Sequence, residues 1–305
     1  MANRIEIPVP TERGTVLPGT LFRRGAGREA GTCAIAITGI HGNFWSNPFY
    51  YNFGDTLAAA GIDFVYAETS DAQGKIAVDN VVTGKKEIIG SFNEDFAHID
   101  EDVDAYVQWA RREGYSRIML AGHSLGVNKV VHYLSTHHDP FVEHFVLLSP
   151  ANMDFLMDQV DARQREVIDW AVADGQGDRM LPFALFGWAP MLARTAWQWV
   201  HANPLDNVHL DAARDFSQVE RVEQSGALFI GTYDAFALGD PVRLVEETSR
   251  HFPRADANRI VIIPQTGHTY QGKEQYTADA LRDVVLAWEA ERDAAAAKGV
   301  AACRS

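Results

Sequence analysis

The sequence runs to 305 residues, 47% of them hydrophobic and 22% charged, with 24 Gly and 12 Pro; this balance suits a globular chain with a large buried core and excludes disordered and fibrous architectures. With 27 Lys and Arg against 41 Asp and Glu, the net charge of −14 repels a phosphate backbone and an anionic membrane surface alike, which argues against nucleic acid as a partner. Its two cysteines, Cys33 and Cys303, stand at opposite ends and cannot build a disulfide scaffold or a zinc cluster, no stretch supplies a signal-peptide core, and none approaches the roughly 18 uncharged apolar residues of a membrane span, so the expectation is a cytoplasmic protein.

In chain order, Arg4 to Val9 and Thr15 to Arg23 read as two strands about the polar turn Thr11-Glu12-Arg13-Gly14, an antiparallel hairpin at a sheet edge. Short apolar runs follow at Cys33 to Thr38, Phe64 to Ala67, Arg117 to Ala121, Phe145 to Leu148, Ala227 to Ile230 and Arg259 to Ile263, each succeeded by a helical pattern. Strands apolar on both faces and alternating with helices predict a mostly parallel central sheet covered on both sides. Helical period is explicit in Phe96, Ile99, Val103, Val107 and Ala110, in Val127, Val130, Val131 and Leu134, and in Leu281, Val284, Val285 and Trp288. Asp71 to Phe92 reads as a long loop with Gly74, Gly84 and Gly90. From residue 152 to 216 the alternation stops and a segment rich in Trp, Phe, Met and Arg intervenes; it is expected to be a helical cap inserted into a body formed by 1–151 and 217–305.

Gly122-His123-Ser124-Leu125-Gly126 is a G-x-S-x-G sequence set immediately after the apolar strand Arg117 to Ala121 and immediately before an amphipathic helix. A serine on so tight a turn is forced into a strained backbone conformation, and flanking glycines leave room for the backbone that crosses it. Its hydroxyl then projects at the carboxyl edge of the sheet, and the helix N-terminus behind it offers N–H groups to a developing oxyanion.

With this motif in this setting, the chain resembles the α/β-hydrolase superfamily over nearly its whole length. The resemblance implies a serine nucleophile, Ser124, followed along the chain by an acid after a later strand and a histidine after the last one. Of eleven histidines, His268 occupies that last place, in Thr266-Gly267-His268-Thr269-Tyr270, and its imidazole would serve as general base. The acid has two candidates: Asp234, in Gly231-Thr232-Tyr233-Asp234, is the first choice, and Asp240, in Gly239-Asp240-Pro241, is the alternative unless it caps the helix starting at Pro241. The loop Thr38-Gly39-Ile40-His41-Gly42-Asn43 is similar to the family's His-Gly-x oxyanion loop, and the resemblance carries the two oxyanion N–H donors onto Asn43 and Leu125. His41 is expected to order this loop, and His123 to be a packed side chain near the pocket.

Other constellations fare less well. His137-His138-Asp139 follows a helix end, and Glu94, Asp95, Asp100, Glu101, Asp102 and Asp104 lie about a helix start, places the helix dipole favours without any metal. No phosphate-binding glycine signature is present, so neither metal nor cofactor is expected. The cap's large apolar groups, with Phe186 and Trp188 among them, together with Phe44 and Trp45 of the oxyanion loop, are the pocket candidates over Ser124.

Several loops, His41-Gly42-Asn43-Phe44, Ser91-Phe92 and His268-Thr269-Tyr270-Gln271-Gly272, are similar to those of a subgroup related to fungal siderophore-releasing esterases. That narrower resemblance implies cleavage of an ester in a bulky natural product. The sequence reading is thus a serine esterase for a small-molecule, bulky or apolar ester, with a homodimer compatible. A thioesterase, amidase or acyltransferase of the same fold is the alternative, and a non-catalytic binding protein a further one.

Overall fold

The computed structural model describes residues 2–25 and 31–302, with side chains through 297; Cys303 lies outside them. Strands and helices follow as β1 (Asn3–Pro10), β2 (Val16–Arg23), β3 (Thr32–Ile37), α1 (Phe49–Ala59), β4 (Asp63–Ala67), β5 (Ile76–Asn80), β6 (Lys85–Ile89), α2 (Ile99–Arg112), β7 (Arg117–Ser124), α3 (Leu125–Thr136) and β8 (Val142–Pro150). Then come α4 (Met153–Met157), α5 (Ala162–Ala173), β9 (Met180–Leu185), β10 (Ala189–Leu192), α6 (Ala193–His201), β11 (Ser225–Gly231), α7 (Pro241–Arg250), β12 (Arg259–Ile263) and α8 (Glu274–Ala302).

One eight-stranded sheet carries the body, in the order β1-β2-β4-β3-β7-β8-β11-β12. The expected edge hairpin is there: β1 and β2 pair antiparallel, β2 joins β4 antiparallel, and every later pairing in the sheet is parallel. Buried along their whole length, β3, β4 and β11 are mostly apolar, which is why, beyond their first residues Thr32, Asp63 and Ser225, they read as apolar runs. One face packs on α2, α3 and α7 through Val103, Val107, Val130, Leu134, Leu244 and Val245. The other packs on α1 and α8 through Phe53, Leu57, Leu281, Val285 and Trp288. Each such side chain removed from water contributes about 1.5–3 kcal/mol, so the periodic faces seen in the sequence fix which side of each helix meets the sheet.

Two segments depart from expectation. The stretch read as a loop between β4 and α2 contains the antiparallel ribbon β5–β6. Its turn is organised by Asn80, whose Oδ1 accepts the Val82 and Thr83 N–H groups, and by Gly84 at φ 66°. A ribbon this short shows little alternation, and only Val78, Asn80 and Ile89 are buried. Between β8 and β11 the structure has α4, α5 and α6 as expected, and in addition the hairpin β9–β10, which was not. Leu181, Leu185, Met191, Ala196 and Trp199 of this segment pack with Phe96, Ile99 and Leu125 of the body in a third cluster. Among the described residues no helix is long and apolar enough to cross a membrane.

Candidate active site

The site forms at the carboxyl ends of the central parallel strands. Ser124 ends β7, which runs between β3 and β8, and has φ 57° and ψ −128°. A non-glycine residue at such angles carries about 1–3 kcal/mol of backbone strain and persists only where its surroundings hold it. Here they do: a Cβ on Gly122 would run into the Gly126 carbonyl, and one on Gly126 into the Ile37 carbonyl, so the two glycines permit the crossing that forces Ser124 outward.

His268 follows β12, and Asp234 follows the adjacent strand β11. The imidazole Nδ1 lies 3.1 and 3.0 Å from the two Asp234 carboxylate oxygens. An ionised carboxylate only accepts, so Nδ1 is the donor, and in the neutral ring the lone pair is on Nε2. Nε2 is buried and has no hydrogen-bond partner among the described residues. The Asp234 carboxylate is fully shielded from solvent. Burial opposes its charge, but the His268 ring, its hydrogen bond and the N–H of Phe236, 3.0 Å away, outweigh that and hold the carboxyl below its ordinary pKa. Ser149, at the strained φ of 48°, stabilises the same carboxylate and meets the Tyr270 hydroxyl at 3.1 Å. The Phe236 ring stacks on His268 at 4.2 Å, and Phe155 of α4 on Phe236 at 4.7 Å.

The alternative acid is placed elsewhere. Asp240 is exposed and accepts the Arg243 N–H at 3.1 Å as the N-cap of α7. A Ser or Asp at a helix start satisfies an otherwise unpaired N–H group, which accounts for this residue in full.

Asn43, the expected oxyanion donor, has its backbone N–H engaged within its own turn. Its N–H donates to Ser46 Oγ at 3.0 Å, and its Oδ1 accepts the N–H groups of Trp45 and Ser46, so Asn43 closes a turn. The backbone that approaches the nucleophile belongs to Gly39, where a Cβ would stand 2.9 Å from Ser124 Cβ and 3.0 Å from Leu125 N. The next N–H along that backbone is that of Ile40, which has no hydrogen-bond partner among the described residues. Two glycines, Gly39 and Gly42, thus stand in this loop, and it is Gly39 whose backbone packs on Ser124.

The pocket candidates separate in the same way. His123 is buried, and Phe186 is buried against Trp188 and Trp199. Phe44 packs against Phe22, Tyr51 and Tyr66, Trp45 is 82% exposed, and both border a cleft of about 710 Å³ with Pro8, Val16, Glu68 and Ile76. Trp188 meets the His41 ring edge to face at 5.4 Å. Next to His41 an apolar cavity of about 390 Å³ lies between the β9–β10 hairpin and the body, lined by Ser91, Phe92, Met180, Pro190 and Leu192. Ser149, Tyr270, Phe155 and Phe236 were missed, because nothing local in the sequence distinguishes them from core residues. Among the described residues no group of three or more His, Cys, Asp or Glu side chains could hold a metal ion.

No protein-family model matches the chain. A curated relative, the fusarinine C esterase sidJ of Aspergillus fumigatus, is 32% identical over 102 residues, taking in 27% of this chain and 28% of that protein's length. Among solved structures, Est1E from Butyrivibrio proteoclasticus superposes with a TM-score of 0.61 at 15% identity, over 93% of this chain and 99% of the other. The siderophore hydrolase EstB from Aspergillus fumigatus does so with a TM-score of 0.61 at 13% identity, over 95% and 98%. With its mostly parallel eight-stranded sheet covered by helices on both faces, the chain has the α/β-hydrolase fold.

Proposed function

We propose that this protein is a serine hydrolase of carboxylic esters, with Ser124 as nucleophile, His268 as general base and Asp234 as the residue that orients it. The observation that carries the reading is the bidentate approach of Asp234 to His268 Nδ1, with Nε2 left without a hydrogen-bond partner among the described residues and the His268 ring 5.0 Å from that of His123, the residue before the strained Ser124. In this reading Ser124 attacks the ester carbonyl as Nε2 takes its proton, Asp234 stabilises the imidazolium without accepting the proton, and Nε2 returns the proton to the departing alcohol. The tetrahedral oxyanion rests on the N–H groups of Leu125 and, in place of Asn43, Ile40. Water then releases the acyl group from Ser124 by the same route. The names of two of the similar proteins, a fusarinine C esterase and a siderophore hydrolase, support an ester in a bulky natural product as substrate class. Residues 152–216 would form the cap, and the apolar cavity beside His41 and Trp188 would take part of such a substrate.

The test is labelling with a fluorophosphonate probe alongside hydrolysis of p-nitrophenyl esters. The parent protein should do both, and Ser124→Ala should do neither; a Ser124→Ala protein that still labels and still hydrolyses overturns the proposal.

A further inference from the structure

Beside the nucleophile sits an imidazole that the proposed reaction does not use. His123 is the x of Gly122-x-Ser124, is 2% exposed, and is enclosed by the rings of Phe49 at 4.8 Å, Tyr50 at 6.2 Å and Tyr270 at 6.2 Å. Its Nε2 lies 2.8 Å from the main-chain carbonyl oxygen of His268. A carbonyl oxygen has no proton to give, so this contact requires the tautomer with the proton on Nε2, which makes His123 the donor and His268 O the acceptor. Burial first, and then the neighbouring His268, hold the His123 pKa down to about 3, so the ring stays neutral and keeps one tautomer across any working pH.

We infer that His123 is a positioning residue for the base: its Nε2–H, adjacent in sequence to Ser124, clamps the main chain of His268 and so sets the separation between nucleophile and imidazole. This inference rests on the proposed esterase reading. The loop that bears His268 needs such a clamp on this side. On its other side it is tied to the acid loop, where Tyr233 N–H donates to Thr266 O at 2.8 Å and Gln265 N–H to Thr232 Oγ1 at 2.9 Å. Those bonds fix the loop relative to Asp234 but say nothing about Ser124. The loop is also under strain, with Gln265 at φ 58° and Tyr270 at φ 56°, so it does not hold its place by local preference. The bond from His123 is what links the β7 end directly to the backbone of the base, and a misplacement of about 1 Å between reacting groups costs about 100-fold in rate.

The test compares His123→Phe, which fills the aromatic cage without a donor, with His123→Gln, whose amide can restore the donor. In parent protein that hydrolyses p-nitrophenyl esters, His123→Phe should lose about 10- to 100-fold in kcat with KM changed less than about 2-fold and an unchanged melting temperature, and His123→Gln should recover most of the loss. A folded His123→Phe protein with parental kcat overturns the inference, as does a His123→Gln protein no better than the Phe variant. A second measurement needs neither a folded variant nor esterase activity: in ¹⁵N imidazole NMR of the parent, His123 should show a protonated Nε2 and no titration down to about pH 4. A proton on Nδ1, or titration near pH 6.5, overturns the clamp while leaving the esterase reading untouched.

Discussion

On the acid–base side of the site, His268 and Asp234 leave the neighbouring strands β12 and β11, and their geometry follows from sheet register and a few main-chain hydrogen bonds. On the side of the proposed oxyanion loop, residues 38–46 have no regular structure and lie on the 69–72 segment, through His41 N–H to Asp71 O at 3.0 Å and Asn43 Nδ2 to Ala72 O at 3.2 Å. That segment is itself anchored by buried charge. Lys129, five residues beyond Ser124 on α3, pairs with Asp71, bonds Thr69 Oγ1 at 3.1 Å and lies 3.4 Å from Glu94. Burial would depress the Lys129 ammonium, but Asp71 and Glu94 more than restore it, and its pKa stands above the ordinary value. One half of the site is thus held by the regular sheet and the other by an ion cluster, and the two should respond differently to substitution and to pH.

The largest effect belongs to the sheet-held half. Asp234→Asn should reverse the His268 tautomer and lower kcat by about 10⁴-fold. Asp240→Asn should leave kcat within about 2-fold, because Asn caps a helix as well as Asp does. Steady-state kinetics on the two variants decides between them; equal losses would return Asp240 to the acid's role. A smaller effect is expected where the two halves touch. In Gly39→Ala the added methyl would press on Ser124 Cβ, His123 O and Leu125 N at 2.9, 2.9 and 3.0 Å, displacing the Ile40 N–H from the oxyanion. The expected loss is about 10²- to 10³-fold in kcat with KM little changed, the size of one missing oxyanion donor. Asn43→Ala, which only loosens a turn, should lose far less, and the reverse ranking in a kcat comparison would reinstate Asn43 as the donor.

The same contrast explains what the sequence made legible. Strand runs and helical faces come from burial on defined sides, so the sheet, its flanking helices and the edge hairpin could be read, and with them the strand ends that carry Ser124, Asp234 and His268. The Ser124 turn was legible because its glycines have a steric reason that no other residue satisfies. The packing of the His41 loop was less legible, since nothing local says which of Gly39 and Gly42 packs on Ser124. The ribbon β5–β6 and the hairpin β9–β10 escaped because short pairs draw their stability from distant contacts, such as the Thr15–Asn80 bridge. The Lys129 cluster was invisible for the same reason: Asp71, Glu94 and Lys129 are far apart in sequence, and a lysine on an amphipathic helix normally faces water.

The smallest expected effect is one of pH on stability, and it has opposite sign in the two halves. Asp234 has a folded pKa below 3.8, so it contributes stability in the neutral range and loses it as pH falls through its folded value. Glu94 behaves in reverse. Burial, reinforced by the neighbouring Asp71 and only partly offset by Lys129, raises its pKa from 4.5 to about 8. Between those values the folded chain holds a proton that the unfolded chain has released, so the folded state weakens as pH rises through the window, and the contribution present below pH 4.5 is gone above about 8. Glu94→Gln keeps the shape of the protonated acid and cannot ionise. Its urea midpoint should therefore fall less than the parent's between pH 5 and pH 8, with the two converging toward the acid end. Parallel midpoints across that range would mean that Glu94 is ionised throughout, and that Lys129 holds two carboxylates rather than one beneath the oxyanion loop.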